Sequence, residues 1–355
     1  MTDNLFDRLA DLMRSSGPVN WRLAREIAES VAGPAEPIDP WLDEEYRDLA
    51  ATAARLVDQH SALDPALVTT PAVVTDRRGW ASANIESLAY LAEPLAEKLS
   101  SDASSPLQPL GPALLGMQMG ATIGTSAQTV LAGFDLGLPS GSSAGPVFVV
   151  PNIEALAADE ALDPRQTRLW ISLHEVAHHS AYAVPWLREH VLNLAHDFVE
   201  GLEFDLGGIE KRIEALQDPE ALQRMMSEPT GLAGLLRPDD DGDAAGRLRG
   251  LLAVVEGYAD RIVERAASDL IPGVESLRHA IDRRRSEPSP GEQLLEQAVA
   301  FDLKHADHRL GDRFCVEVAR RWGDEALDRL WEGPEMLPDE NELTDPVGWA
   351  ARVLL

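Results

Sequence analysis

Leu173-His174-Glu175-Val176-Ala177-His178 is an H-E-x-x-H stretch, and its reading decides the fold. Residues four apart on an α-helix share a face, one turn apart. His174 and His178 can therefore offer two imidazoles to one ion. Glu175, one step round the helix, can reach a water on that ion. Two neutral imidazoles, an open water position and a carboxylate base are the parts of a zinc hydrolase. The stretch has to be helical for this to hold, and its flanks agree. Asp163-Pro164 reads as an N-cap followed by Pro at the first helical position. The helical pattern runs from Arg165 into the motif, and no Pro or Gly breaks it before Pro185.

Such a site needs a third protein ligand. A metzincin would continue with Gly and His where Ala181 and Val184 stand, so that class is excluded. His196, Asp197 and Glu200 on the helix after Pro185 are candidates. Glu256-Gly257-Tyr258-Ala259-Asp260 is the preferred one, on a helix predicted from Gly246 to Asp269. Glu256 and Asp260 are one turn apart. Glu256 could bind the ion while Asp260 accepts a hydrogen bond from a ligand histidine, as outer carboxylates at zinc sites commonly do. Spacing alone leaves an ordinary solvated face with two acids equally open.

The rest of the chain bounds the classes of function. Its 355 residues, 45% of them hydrophobic, suffice for a large core. Sixty acidic residues against 31 basic ones give a net charge of −29. That field repels nucleic acid and anionic membrane surfaces. Cys315 is the only cysteine, which precludes an intrachain disulfide; on an apolar-periodic helix it reads as a buried inert thiol. The N-terminus lacks the charged and apolar regions of a signal peptide, and no apolar run is long enough for a bilayer span. A cytoplasmic protein is the expectation.

Organisation along the chain is mostly helical. Helices are predicted over Leu5–Met13, Trp21–Val31, Trp41–Gln59, Arg77–Lys98, Gly111–Leu131, Pro185–Phe204, Glu210–Met226 and Gln293–Arg321. Gly116, Gly120 and Gly124 lie four apart and make a flat strip that another helix can approach closely. Polar Gln118, Thr122 and Ser126 favour that reading over a membrane dimer. Pro146 to Asn152, with Val147-Phe148-Val149-Val150 at its centre, is the clearest strand. Lying just before the metal helix, it could bind an extended peptide by strand addition, or be an ordinary core strand. The acidic run from Pro238 to Asp243 fails the EF-hand register and reads as a solvated loop. Arg283-Arg284-Arg285, beside Pro288 and Pro290, reads as an exposed turn. No internal repeat or long linker divides the chain. It reads as one domain: helical residues 1–135, a metal-binding core 146–270 and a helical part 271–355.

These stretches, in this order, resemble the zincin-like hydrolases of actinobacteria, a family of predicted zinc metallopeptidases. The matching stretches include Val19-Asn20-Trp21, Trp80 with Asn84, Val149 to Asn152 and Leu169 to His178. They continue through Ala183 to Arg188, Glu256 to Asp260, Glu335 to Pro338, and Asp345-Pro346 with Trp349. The resemblance covers nearly the whole chain. It implies a mainly α, zincin-like metalloprotease fold with a small β element near the active-site helix. It also implies that E-G-x-A-D partners H-E-x-x-H, which selects Glu256 as third ligand. One departure is Asp307-His308, where the family tends to Gln-Tyr. His308 could supply the oxyanion donor; the alternative is a solvent-facing histidine.

The expectation is thus a zinc-dependent hydrolase, most simply a metallopeptidase acting on a peptide or protein. Zn²⁺ would be held by His174, His178 and Glu256, with Glu175 as base and Asp260 behind a ligand. Two alternatives are a zincin-fold binding or regulatory protein with little turnover, and a zinc amidohydrolase acting on a small molecule.

Overall fold

The structure, a computed structural model, describes residues 17–64, 71–100, 111–139, 145–204, 236–238, 243–268, 270–286, 288–299 and 305–355. The Asn20 side chain accepts the Leu23 N–H at 3.0 Å and so caps the first helix, α1 (Trp21–Ala32). α2 (Pro40–His60) opens on proline. After β1 (Val73–Thr75), Asp76 caps α3 (Arg77–Asn84) through the Gly79 N–H. The single helix predicted over 77–98 is divided, with α4 at Ala89–Ser100. The Asn84 amide donates to the Trp80 carbonyl and the Ser87 hydroxyl to the Asn84 carbonyl, so local side-chain bonds compete with the helical ladder and the chain turns.

The central elements are α5 (Gly111–Ser126), β2 (Val147–Val149), α6 (Val150–Asp159), α7 (Pro164–Tyr182) and α8 (Pro185–Glu200). Strands β3 (Leu202–Phe204) and β4 (Leu236–Pro238) pair antiparallel. Then come α9 (Asp243–Ala267), α10 (Val274–Arg285), α11 (Pro290–Val299) and α12 (His305–Trp322). Two 3₁₀ stretches and the short helices α13 (Glu340–Thr344) and α14 (Pro346–Val353) end the chain. The helices expected at Leu5–Met13 and Glu210–Met226, and most of the acidic loop after Pro238, lie outside the described residues.

The described chain is mainly helical, with its small parallel sheet beside α7, as expected. β2 departs from the sequence reading in two ways. It ends at Val149, because Val150-Pro151-Asn152 open α6 with proline in the first turn. It also has no free edge. β1 runs parallel along one side, while Ala132 bridges Phe148 and the Leu131 carbonyl accepts the Val149 N–H on the other. Val147, Phe148 and Val149 are all buried. β2 is therefore a core strand and is not available for strand addition. Asn152 locks this region: its amide donates to the carbonyls of Ala127 and Val130 just after α5, and its oxygen accepts from Arg77.

The glycine strip on α5 does what its spacing predicts. A Cβ on Gly116 would lie 2.5 Å from the Asn20 carbonyl oxygen, on Gly120 2.5 Å from that of Ala24, and on Gly124 2.7 Å from that of Ala28. α1 and α5 therefore meet backbone to backbone. No helix among the described residues is long and apolar enough to cross a membrane. A second crossing of this kind sets the site. α9 packs along α12 where Gly257 faces Gly311, and it crosses α7 and α8 on its other sides. Cys315 is buried in α12, and burial pushes its thiol well above the ordinary range, as expected of an inert group. Trp349, fully buried, donates to the Met336 carbonyl and meets the Phe314 ring edge-on, closing the C-terminal segment over α12.

Candidate metal centre

Asp163 accepts the Gln166 N–H at 2.9 Å, and Pro164 supplies the fixed φ of the first turn, so α7 starts where the sequence places it. Ten residues on, the helix is buried on almost every side: His174 is 8% exposed, Glu175 and His178 1%. Across from it, α9 presents Glu256, 5% exposed. Its Oε1 lies 3.1 Å from His174 Nε2 and its Oε2 2.8 Å from His178 Nε2. Among the described residues, these three form the one His/Cys/Asp/Glu group able to hold a metal ion, with donor atoms within 4.8 Å of one another.

The donor set fits zinc. Two imidazoles and one glutamate, all buried, match the three protein ligands of one catalytic zinc type, in which a fourth position stays open. Ligand bonds of roughly 2.0–2.1 Å put tetrahedral donors about 3.3–3.4 Å apart, within about half an ångström of the two histidine–Glu256 separations.

Several contacts fix these groups. His178 Nδ1 lies 3.0 Å from the His174 carbonyl, which makes Nδ1 the protonated nitrogen and leaves the Nε2 lone pair facing Glu256. Trp170 stacks on His174 with centroids 5.3 Å apart, and Phe134 stacks on His178 at 5.8 Å. Burial, helped by His178 and Arg285, lowers the His174 pKa against the pull of Glu256 and so favours the neutral ring. At His178 burial is the largest influence and pulls down, but Glu256, the His174 carbonyl and Glu175 together outweigh it and the net direction is up. Glu256 itself is held well below the carboxylate range: burial opposes this, while Arg285, His174 and His178 prevail. An ionised carboxylate is what a cation ligand requires.

Glu175 is placed by backbone alone. Its Oε1 accepts the Val147 N–H at 2.9 Å and its Oε2 the Phe134 N–H at 3.2 Å, with the Gly133 N–H adding a further bond. Burial pushes its pKa up to about 7, against the pull of those three amides and of His178. That is the range in which a carboxylate can both take and release a proton near neutrality. Gly133 is required for this seat, since a Cβ there would lie 2.7 Å from Glu175 Oε1. Gly133→Ala should push the carboxylate off its amides and cost about 1–3 kcal/mol. Chemical denaturation measures this; an unchanged midpoint would contradict the seat.

Other sequence expectations fare differently. Asp260 was expected to accept from a ligand imidazole. Its carboxylate instead takes Arg285 Nη1 at 2.9 and 3.2 Å, and its nearest histidine contact is 3.6 Å to Nε2 of His174, the nitrogen on the Glu256 side. His308 lies in α12, but its side chain is outside the described residues. His196, Asp197 and Glu200 are exposed on α8.

The arginine run is not an exposed turn. It closes α10, where Arg284 pairs with Asp135 at 2.6 Å and Arg285 enters the site. Arg285 Nη2 donates to His174 Nε2 at 2.7 Å and lies 2.6 Å from Glu256 Oε1. Sequence reasoning missed this residue, and a basic group in a helix's last turn carries no signal of such a role.

Two cavities meet at Arg285. One, of about 710 Å³, is lined by Trp170, Asp260, Arg278, Asp282, Arg285 and Asp312 among others. The other, of about 330 Å³, reaches His174 and Glu256 past Phe134 and Asp135.

A buried helix with two imidazoles and an acid, facing a carboxylate on a second helix beside a small sheet, defines a zincin-like fold. The chain belongs to the zincin-like metallopeptidase family, whose model matches residues 19–350. Among solved structures it is similar to a protein from Chloroflexus aurantiacus described as "a putative hydrolase with a novel fold". The TM-score is 0.69 and the identity 24%, over 94% of this chain and 98% of that one, which bears on the fold. No functionally curated protein matches the sequence.

Proposed function

We propose that the protein is a zinc-dependent hydrolase of the peptidase type, cleaving an amide bond with water. The observation that carries this is the convergence of His174, His178 and Glu256 on one buried point. These three side chains would hold the ion. When bound, zinc acts as a Lewis acid on the scissile carbonyl and lowers the pKa of a water towards about 7. Glu175, one residue from the first ligand and with a pKa of about 7, takes the water's proton and passes it to the leaving amine. Its two backbone partners, Val147 and Phe134, hold the carboxylate in one orientation throughout. Trp170 and Phe134 back the imidazoles and keep water from their outer faces.

Two observations favour a second reading, hydrolysis of a small amide. β2 has no free edge for an extended peptide, and the cavity that reaches His174 and Glu256, of about 330 Å³, is the size of a small-molecule pocket. Under either reading the ion should stabilise the fold. Zinc at a hundredfold over its Kd should add about 2.7 kcal/mol, and a chelator should remove that gain. Thermal melts with zinc and with chelator measure this; coincident melts would contradict a site built by two folded helices.

A further inference from the structure

Arg285 carries an inference that rests on the metal reading above. Its Nη2 contacts the two ligand atoms His174 Nε2 and Glu256 Oε1, at 2.7 and 2.6 Å. Its Nη1 is held separately, by both oxygens of Asp260. The guanidinium lies over the Trp170 ring, 5.9 Å from its centroid, and forms part of the wall of both cavities.

His174 Nε2 has one lone pair, so a divalent ion and Nη2 cannot both hold it, whereas Glu256 Oε1 can bind the ion and still accept from Nη2. The Asp260 and Trp170 contacts use neither atom, so they tether the guanidinium beside the ion. The charge balance then matters. Glu256 and Asp260 outweigh Arg285 by one negative charge, and a divalent cation leaves that group with one net positive charge, which Glu175 balances while ionised and leaves uncovered once it has taken the water's proton. Asp135, which also acts on Arg285, is matched by its own pair with Arg284. A buried site with a surplus positive charge attracts an anion, and a tethered guanidinium offers fixed, permanently charged donors to it.

We propose that Arg285 is a further catalytic residue of this site, receiving the negative oxygen that develops on the scissile carbonyl, and that Asp260 is its positioning residue. As the water oxygen bonds to the carbonyl carbon, the carbonyl π pair moves onto its oxygen, and that charge faces Arg285. The pair returns when the C–N bond breaks and Glu175 delivers the water's proton to the amine. Asp260 thereby has a partner other than the ligand imidazole expected from sequence.

The test measures two affinities in wild type, Arg285→Gln, Arg285→Lys and Asp260→Asn. Zinc affinity is read by chelator competition. Inorganic phosphate, a tetrahedral oxyanion probe, is titrated calorimetrically into the zinc-loaded proteins. Arg285→Gln should bind zinc at least as tightly as wild type, because a competing cation is gone. It should bind phosphate about tenfold or more weakly, the size of one charge-assisted hydrogen bond. Arg285→Lys should fall between the two, and Asp260→Asn should lose less phosphate affinity than Arg285→Gln. The opposite signs separate this role from a structural one, which would weaken both affinities together. Unchanged phosphate binding in Arg285→Gln, no phosphate binding by wild type, or a parallel loss of zinc overturns the assignment. Unchanged phosphate binding in Asp260→Asn removes that residue's part. Failure of wild type to bind zinc overturns the metal reading itself and this inference with it.

Discussion

Glu175→Gln should leave zinc bound and reduce turnover by about 10²–10⁴-fold, the usual worth of a general acid–base group. The substitution keeps the shape of the side chain but not its hydrogen-bond character. Glu175 uses both oxygens as acceptors, one for the Val147 N–H and one for the Phe134 N–H. A glutamine can accept with only one end, because its amide nitrogen carries donors and no free acceptor. One buried backbone N–H is then left facing an N–H₂, at about 1–3 kcal/mol. The variant should therefore show two losses of different kinds. Turnover on a broad peptide library, zinc content and a denaturation midpoint separate them. A variant that is destabilised but turns over at the wild-type rate would make Glu175 a bracket for β2 and not a base. A wild type as inactive as the variant, with zinc retained by both, would favour a binding or regulatory protein.

Gly311→Ala should be the most damaging single methyl group in the described chain outside the site. α9 and α12 touch through their backbones: a Cβ on Gly311 would run into the Ala253 carbonyl, and one on Gly257 into the Gly311 carbonyl carbon. A backbone carbonyl cannot turn aside as a flexible side chain can, so the helices must separate. Forced separation belongs at or above the upper end of overpacking costs, about 3 kcal/mol, against a total stability of roughly 5–15 kcal/mol. α9 also carries Glu256, so the same displacement moves the third ligand away from His174 and His178. Loss of stability should be accompanied by loss of zinc affinity in the fraction that folds. Wild-type stability and zinc affinity in Gly311→Ala would contradict the close crossing.

What was legible in the sequence follows physical periodicity. Two histidines four apart on a capped helix declare a shared face, and His174 and His178 share one. Glycines four apart on α5 declare a close approach, and α1 lies against them. Glu256 was harder to assign. It stands 82 residues from His174, and nothing local to α9 tells a ligand from a solvated acid. Family resemblance, not spacing, selected it.

Other parts left no mark that a pattern could reveal. The groups that seat Glu175 are backbone amides of Gly133, Phe134 and Val147, which every residue but proline offers. Arg285 is 111 residues from His174, and in sequence it resembles any arginine closing a helix. β2 was recognised as a strand, but whether it had a free edge depended on β1 and Ala132, partners that sequence pattern does not name.

The central claim is that three side chains on α7 and α9 grip one zinc ion. Anomalous diffraction at the zinc edge, on crystals of the zinc-loaded protein, tests it most directly. The expected result is one strong peak within bonding distance of His174 Nε2, His178 Nε2 and the Glu256 carboxylate. A peak bound elsewhere, or no peak at these three residues, would contradict it.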